Sequence, residues 1–205
     1  MVLIGIVGKK MVGKDVVAFQ LCKEFGFESM AFAKPIKEVA ELLFGFDIRQ
    51  LETSEGKETV DKWWGITPRK ALQHIGQAMR ELDLPELKDE ESESESRSGR
   101  SSSSIVMNGK GSFWLRYFFD KYDSALTVNN VLDMVVSDVR FKNEAFALKS
   151  RGAILIRIVR DTKSKDNDVS EQEQNDINCD YVIQNNGTFA ELAENVRALM
   201  SKIKS

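Results

Sequence analysis

The first fifteen residues contain the pattern that most constrains the fold of this chain. A short apolar run at 2–7 ends at Gly8, and Gly13-Lys14 follows after four residues. A helical pattern of apolar residues then begins beyond Asp15. A strand, a glycine-bounded loop and a helix in this order predict a P-loop.

The spacing of this loop suits phosphate groups. Gly8 and Gly13 let the main chain turn tightly, so that several N–H groups point inward, while Lys14 adds a cation and the following helix adds its positive N-terminus. A glycine-rich turn without a ligand is the alternative. We predict that the phosphates of a triphosphate ligand bind to the whole loop: Gly8, Lys9, Lys10, Met11, Val12, Gly13, Lys14 and Asp15.

Asp15 departs from the usual P-loop pattern, because Ser or Thr ordinarily follows the lysine and binds Mg²⁺ through its hydroxyl. A carboxylate can bind Mg²⁺ directly or through water, and it also suits the first turn of a helix. Asp138 is the second candidate, because it follows a buried-looking strand at 131–137. The sequence therefore predicts a Mg²⁺ site that uses Asp15 and Asp138.

Charged residues follow the other predicted strands. Arg140 comes shortly after Asp138, Arg160 follows a strand predicted at 153–159, and Lys34 follows one predicted at 27–33. Ligands of open parallel α/β sheets bind at the carboxyl edge, so these side chains are candidates for one phosphate site. For Lys34 a solvated lysine is an equal alternative.

A helix predicted at 68–82 carries a second candidate surface. Thr67 is a plausible N-cap and Pro68 a plausible first residue. One stripe is apolar, whereas a second is polar and predicts an anion site, with a solvated arginine face as the alternative: Arg69, Gln73, Gly76 and Arg80. In an aromatic helix at 113–122, Trp114 is either core or part of a base pocket.

The composition limits the class of protein. A chain of 205 residues with 42% hydrophobic residues can form one α/β domain, and we predict a single domain over 1–205. The net charge of −3 argues against nucleic-acid binding. Two cysteines and the absence of a membrane-length apolar run favour a cytoplasmic protein without membrane contact. We predict a low-complexity surface loop at 89–104 and a possible lid at 161–177.

Several motifs together carry a family resemblance, and they cover the chain apart from the Ser/Glu-rich loop. They are GxxxxGKD at 8–15, FAxPxK at 32–37, WGxTPRxxLQxxG at 64–76, Arg80, SDVRFxNE at 137–144 and DxxIxNNGTxxEL at 180–192. In combination they resemble the deoxynucleoside monophosphate kinases of tailed bacteriophages. The resemblance implies an α/β P-loop NTPase-type three-layer fold, with a parallel sheet flanked by helices as in nucleoside monophosphate kinases.

The resemblance also implies an activity and a set of roles. These kinases transfer the ATP γ-phosphoryl group to a dNMP with Mg²⁺, act as homodimers and work in the host cytoplasm if phage-encoded. Arg69 and Arg140 would bind the acceptor phosphate, and Glu144 would orient Arg140 or the acceptor sugar. From the residues we add Arg160 as a candidate for stabilising charge on the transferred group. The alternatives are a kinase for another small acceptor, similar to animal phosphomevalonate kinase, and a non-catalytic nucleotide switch.

Overall fold

The computed structural model describes residues 1–85, 109–128, 133–161 and 174–204. Two compact units share these residues. The sheet unit comprises Met1–Ala31 and Lys121–Ser205, and the helical unit comprises Phe32–Asp120. The loop predicted at 89–104 and most of the lid predicted at 161–177 lie outside the described residues.

The sheet unit is built on five parallel strands in the order β2-β3-β1-β4-β5. All five residues of β1 are buried, as expected for a central parallel strand with helices on both faces. The strand bounds are β1 Leu3–Val7, β2 Glu28–Met30, β3 Met134–Val139, β4 Ile154–Val159 and β5 Tyr181–Gln184.

The helices of the sheet unit pack on these strands. Helices and strands together form one core, in which Ile4, Val17 and Ile156 are almost completely buried. The C-terminal helix begins at the predicted capping box, since the Thr188 side chain accepts from the Glu191 N–H and Glu191 caps the Thr188 N–H in return. The bounds are α1 Lys14–Phe25, α7 Lys142–Ser150 and α8 Phe189–Ile203, with a 3₁₀ turn at Gln174–Asp176.

The helical unit has its own small core around Ala40, Phe46, Leu51 and Ala71. As predicted, Thr67 caps the helix that opens with Pro68. The segment 47–64, to which the sequence assigned no structure, contains two short helices. The bounds are α2 Lys34–Phe44, α3 Ile48–Glu52, α4 Ser54–Glu58 and α5 Pro68–Glu81, and α6 Phe113–Val128 begins in this unit and ends in the sheet unit.

Two strand predictions were wrong in their bounds. The strand predicted at 27–33 is shorter, because β2 pairs with β3 only over Glu28–Met30 and Phe32 packs against Phe118 in the helical unit. The strand predicted at 131–137 continues to Val139, so Asp138 lies within β3. Among the described residues, none of the helices combines the length and apolar character needed to cross a bilayer.

Candidate active site

The loop after β1 has the strained main chain expected of a phosphate-binding loop. Met11 and Gly13 have φ values of 63° and 100°, in the left-handed region. A Cβ atom on Gly8 would lie 2.6 Å from the Ile158 carbonyl oxygen of β4, so only glycine fits there. Such a turn makes a concave nest of N–H groups, and α1 begins directly after it at Lys14.

The Lys14 side chain lies over this loop. Its Nζ donates hydrogen bonds to the carbonyl oxygens of Gly8 and Lys9, both at 2.6 Å. The ammonium group is therefore held at the mouth of the turn by main-chain acceptors. This position fits the predicted role of Lys14, a cation among phosphate oxygens.

Basic residues follow the strands on either side of β1. Val7 pairs with Val139 of β3 and with Arg157 of β4, so the loop after β1 lies at the same sheet edge as the ends of these strands. Arg140 directly follows β3 and Arg160 directly follows β4, and both are exposed. Within the sheet unit, the structure thus places two predicted arginines at the carboxyl edge with the loop.

Asp138 lies where the β1–β3 ladder is irregular. Gly5 pairs with Val136 and Val7 with Val139, so two residues of β3, including Asp138, stand opposite Ile6. This is a bulge, which bends a strand and turns side chains away from the regular alternation. The half-buried Asp138 therefore lies one residue before the end of β3 rather than beyond it.

Glu144 acts on the main chain next to Arg140. Its Oε2 accepts the N–H groups of Arg140 at 2.8 Å and Phe141 at 3.1 Å, and the side chain is almost completely buried. The carboxylate stabilises the start of α7 and fixes the chain that carries the Arg140 side chain. Glu144 thus contacts Arg140 through the main chain, and its role in orienting Arg140 or the acceptor sugar stays a prediction.

The predicted metal ligands are two carboxylates of the sheet unit. Asp15 is exposed in the first turn of α1, and Asp138 lies in the bulge of β3. Across the described residues, no group of three or more histidine, cysteine or acidic side chains is arranged to hold a metal ion. Mg²⁺ in kinases uses one or two carboxylates together with water and substrate phosphates, so this donor set fits the ion.

In the helical unit, Arg69 forms an ion pair. Its Nε donates to Glu58 Oε1 at 2.5 Å, and the Arg69 side chain is 31% exposed. Arg69 lies in the first turn of α5, where a cation opposes the helix dipole, and Glu58 offsets that cost. No sequence pattern indicated this carboxylate, although Glu58 lies only eleven residues before Arg69.

Two other predicted substrate residues in the same unit, Trp114 and Arg80, share a hydrogen-bond acceptor in a third, Gly76. The Gly76 carbonyl accepts from Trp114 Nε1 at 3.0 Å and from Arg80 Nη1 at 3.4 Å. Trp114 and Gly76 are buried, so the polar stripe of α5 is partly a packing surface. Gln73 on α5 and Lys34 at the start of α2 are exposed.

A fixed loop precedes α5. The Asp61 carboxylate accepts the N–H groups of Trp63 and Trp64, and the Asp61 N–H donates to the Ile66 carbonyl. The N–H group of Trp64, with the Gln50 amide, holds the pKa of Asp61 below its ordinary value. This loop therefore positions Thr67, the N-cap of α5.

Two sequence matches identify a family for this chain. The statistical model of the family "Deoxynucleotide monophosphate kinase" matches residues 103–196. A protein of Acanthamoeba polyphaga mimivirus, named "Putative deoxynucleotide monophosphate kinase", is 34% identical over 195 residues, which is 93% of this chain and 92% of that protein.

The chain belongs to the deoxynucleotide monophosphate kinase family. This confirms the resemblance inferred from the motifs, and it supports kinase activity on a nucleotide with ATP as the donor. The relative comes from a giant virus, so the predicted bacteriophage source stays a prediction.

Solved structures of other kinases are similar only in broad outline. Dephospho-CoA kinase from Campylobacter jejuni is 14% identical with a TM-score of 0.47, covering 98% of this chain and 96% of that one. Shikimate kinase from Aquifex aeolicus is 11% identical with a TM-score of 0.41, covering 98% of both chains. The sheet itself confirms the predicted α/β P-loop kinase fold in this family member, because a central β1 ending in the phosphate loop is flanked by parallel strands.

Proposed function

We propose that this chain is an ATP-dependent deoxynucleoside monophosphate kinase that converts a dNMP and ATP into a dNDP and ADP. The observation that carries the proposal is the glycine-framed loop, with the Lys14 ammonium group over its carbonyls at the carboxyl edge of the sheet. The family of the chain supports the nature of the acceptor.

On the donor side, the loop at 8–15 binds the ATP phosphates, and Lys14 neutralises charge on the β- and γ-phosphates. Asp15 and Asp138 would hold Mg²⁺, which neutralises phosphate charge when bound. Arg160 contributes a cation for the transferred group, in the manner of the arginines that P-loop enzymes use in the transition state.

On the acceptor side, Arg69 and Arg140 bind the monophosphate, because guanidinium groups match phosphate oxygens with paired hydrogen bonds. Glu144 positions Arg140 through its main-chain N–H. Lys34, Gln73, Gly76, Arg80 and Trp114 complete the proposed acceptor set, with Gly76 and Trp114 acting as its packed support.

Transfer then needs alignment more than covalent help from the protein. An oxygen of the acceptor phosphate attacks the γ-phosphorus as the bond to the β–γ bridging oxygen breaks, and ADP leaves. Neither a histidine nor a serine nucleophile is needed. Dimerisation, the cytoplasmic location and the lack of nucleic-acid or membrane binding stay predictions of the sequence and its resemblance.

A coupled ADP-release assay tests the proposal. The panel contains ATP, Mg²⁺ and each of dGMP, dTMP, dCMP and dAMP, with the four ribonucleotides alongside. We expect turnover on deoxy forms well above that on ribo forms. Bound ATP without turnover on any of these acceptors would instead indicate a different acceptor or a non-catalytic switch.

A further inference from the structure

Two consecutive asparagines follow β5 and reach the donor side of the sheet unit. Asn185 is 5% exposed, and its Nδ2 donates to the carbonyl oxygen of Val12 at 2.8 Å. Its main-chain N–H donates to the carbonyl of Val159, the last residue of β4, at 2.7 Å. Asn185 therefore joins the end of β4 to the phosphate loop.

The contact with the loop is close and specific. Val12 immediately precedes Gly13, and a Cβ atom on Gly13 would lie 2.6 Å from Asn185 Nδ2. The glycine thus leaves the space that the amide fills. This hydrogen bond is buried, so water does not readily take the place of its donor. Removing the Asn185 amide therefore leaves the Val12 carbonyl without this hydrogen bond.

Asn186 makes a matching contact to the next strand exit. Its Oδ1 accepts the main-chain N–H of Asp161 at 2.8 Å, and its Nδ2 donates to Asp161 Oδ2 at 2.7 Å. Asp161 directly follows Arg160. The second asparagine therefore fixes the chain beside that arginine, as the first fixes the loop that ends at Lys14.

We infer that Asn185 and Asn186 are positioning residues, which fix the phosphate loop and the Arg160 segment relative to each other. This inference rests on the proposed function for the roles of Lys14 and Arg160. Preorganised cations and N–H groups stabilise a transition state effectively, because they need no rearrangement during the reaction. The same turn at 185–186 would thus set the geometry on both sides of the transferred phosphoryl group.

The first test compares two buried amides. Asn185→Leu removes the donor to Val12 with little change in volume. Gln20→Met is the matched control, since Gln20 is 7% exposed and its Nε2 donates at 3.0 Å to the Ala193 carbonyl, which joins α1 to α8 away from the loop. ATP binding is measured by calorimetry, and amide hydrogen exchange of residues 9–14 is followed without nucleotide.

We expect both variants to lower the melting temperature, but only Asn185→Leu to speed exchange in 9–14 and to weaken ATP binding about tenfold or more. Wild-type exchange and ATP affinity in Asn185→Leu would overturn the inference. If Asn185→Leu has the expected effects while the wild type phosphorylates no dNMP, the proposed acceptor is wrong and the positioning role stands.

The second test exchanges the partners of Asn186. Asn186→Asp keeps the acceptor for the Asp161 N–H but replaces the donor to Asp161 Oδ2 by a second carboxylate oxygen. Asp161→Asn keeps an amide oxygen for Asn186 Nδ2 and is the matched control. The double variant supplies a new donor from position 161 to the carboxylate at 186. We expect Asn186→Asp to lower kcat about threefold to tenfold at unchanged ATP affinity, Asp161→Asn to stay close to the wild type, and the double variant to recover most of the loss. Unchanged kcat in Asn186→Asp, or no recovery in the double variant, would overturn the role of Asn186.

Discussion

The phosphate loop of the sheet unit and Arg69 of the helical unit hold their cations in different ways. Lys14 Nζ donates to two main-chain carbonyls, and the loop beneath it is fixed by Asn185. Arg69 Nε is instead paired with the carboxylate of Glu58, which is itself half exposed. Lys14 thus lies among the main-chain acceptors of its own loop, whereas bringing a phosphate to Arg69 must displace a carboxylate.

This difference indicates how the two substrates would be recognised. The proposed donor site is shaped by main-chain geometry, since Gly8, Met11 and Gly13 all have positive φ angles. The proposed acceptor cation is neutralised until a stronger anion arrives. A dianionic phosphate can displace a single carboxylate, because charge-assisted bonds to phosphate are strong and paired.

The largest expected effect is at the loop. Lys14→Ala should lower turnover about a thousandfold, because it removes a preorganised cation from the developing charge. Steady-state ADP release measures the loss. Lys23→Ala, at the other end of α1, is the control and should retain wild-type turnover. If Lys14→Ala kept more than about a tenth of wild-type turnover, the donor role of the loop would be wrong.

Arg140 should separate the two substrates. Arg140→Ala should reduce kcat/KM for a dNMP more than about a hundredfold while ATP affinity stays unchanged, because the proposed role of this arginine is to bind the acceptor phosphate. Kinetics and ATP calorimetry on one preparation check both parts. The neighbouring Lys142→Ala, which removes an ion pair with Asp176, is the control. Lost ATP binding with unchanged turnover would contradict this assignment.

Arg69 should affect the acceptor more moderately. Arg69→Ala should raise the KM for a dNMP about tenfold to a hundredfold, the equivalent of one charged hydrogen-bonding group. Arg69→Lys should recover only part of the loss, since lysine cannot form the paired contact. Initial rates across dNMP concentrations measure both variants, and a KM unchanged in Arg69→Ala would remove Arg69 from the acceptor site.

The smallest effect is expected at Glu58, and it tests the comparison between Lys14 and Arg69 most directly. Glu58→Gln should lower the KM for a dNMP by a few-fold, because an exposed ion pair contributes about 0.2–1 kcal/mol that the phosphate no longer has to overcome. Glu55→Gln, which removes a nearby ion pair with Arg49, should leave the KM unchanged. If the KM rose in Glu58→Gln, Glu58 would be a support for Arg69 rather than a competitor of the phosphate.

The sequence by itself determined the local structures with strong backbone signals. Glycine spacing predicted the phosphate loop, Thr67-Pro68 predicted the start of α5, and the Thr188/Glu191 pair predicted the start of α8. These signals are readable because glycine conformations and helix caps depend on neighbours within about four residues. The motifs also identified the family, since their combination is specific.

The tertiary structure alone decided contacts between distant residues. The bulge at Asp138 arises from pairing with β1, the Trp114 indole donates to the Gly76 carbonyl 38 residues earlier, and Asn185 reaches a loop 173 residues earlier. Periodicity shows which side of an element is apolar, but not which partner meets a polar side chain. The partner depends on how the strands and helices pack. In this protein, packing brings a buried amide and a buried carboxylate against the main chain beside the proposed catalytic cations.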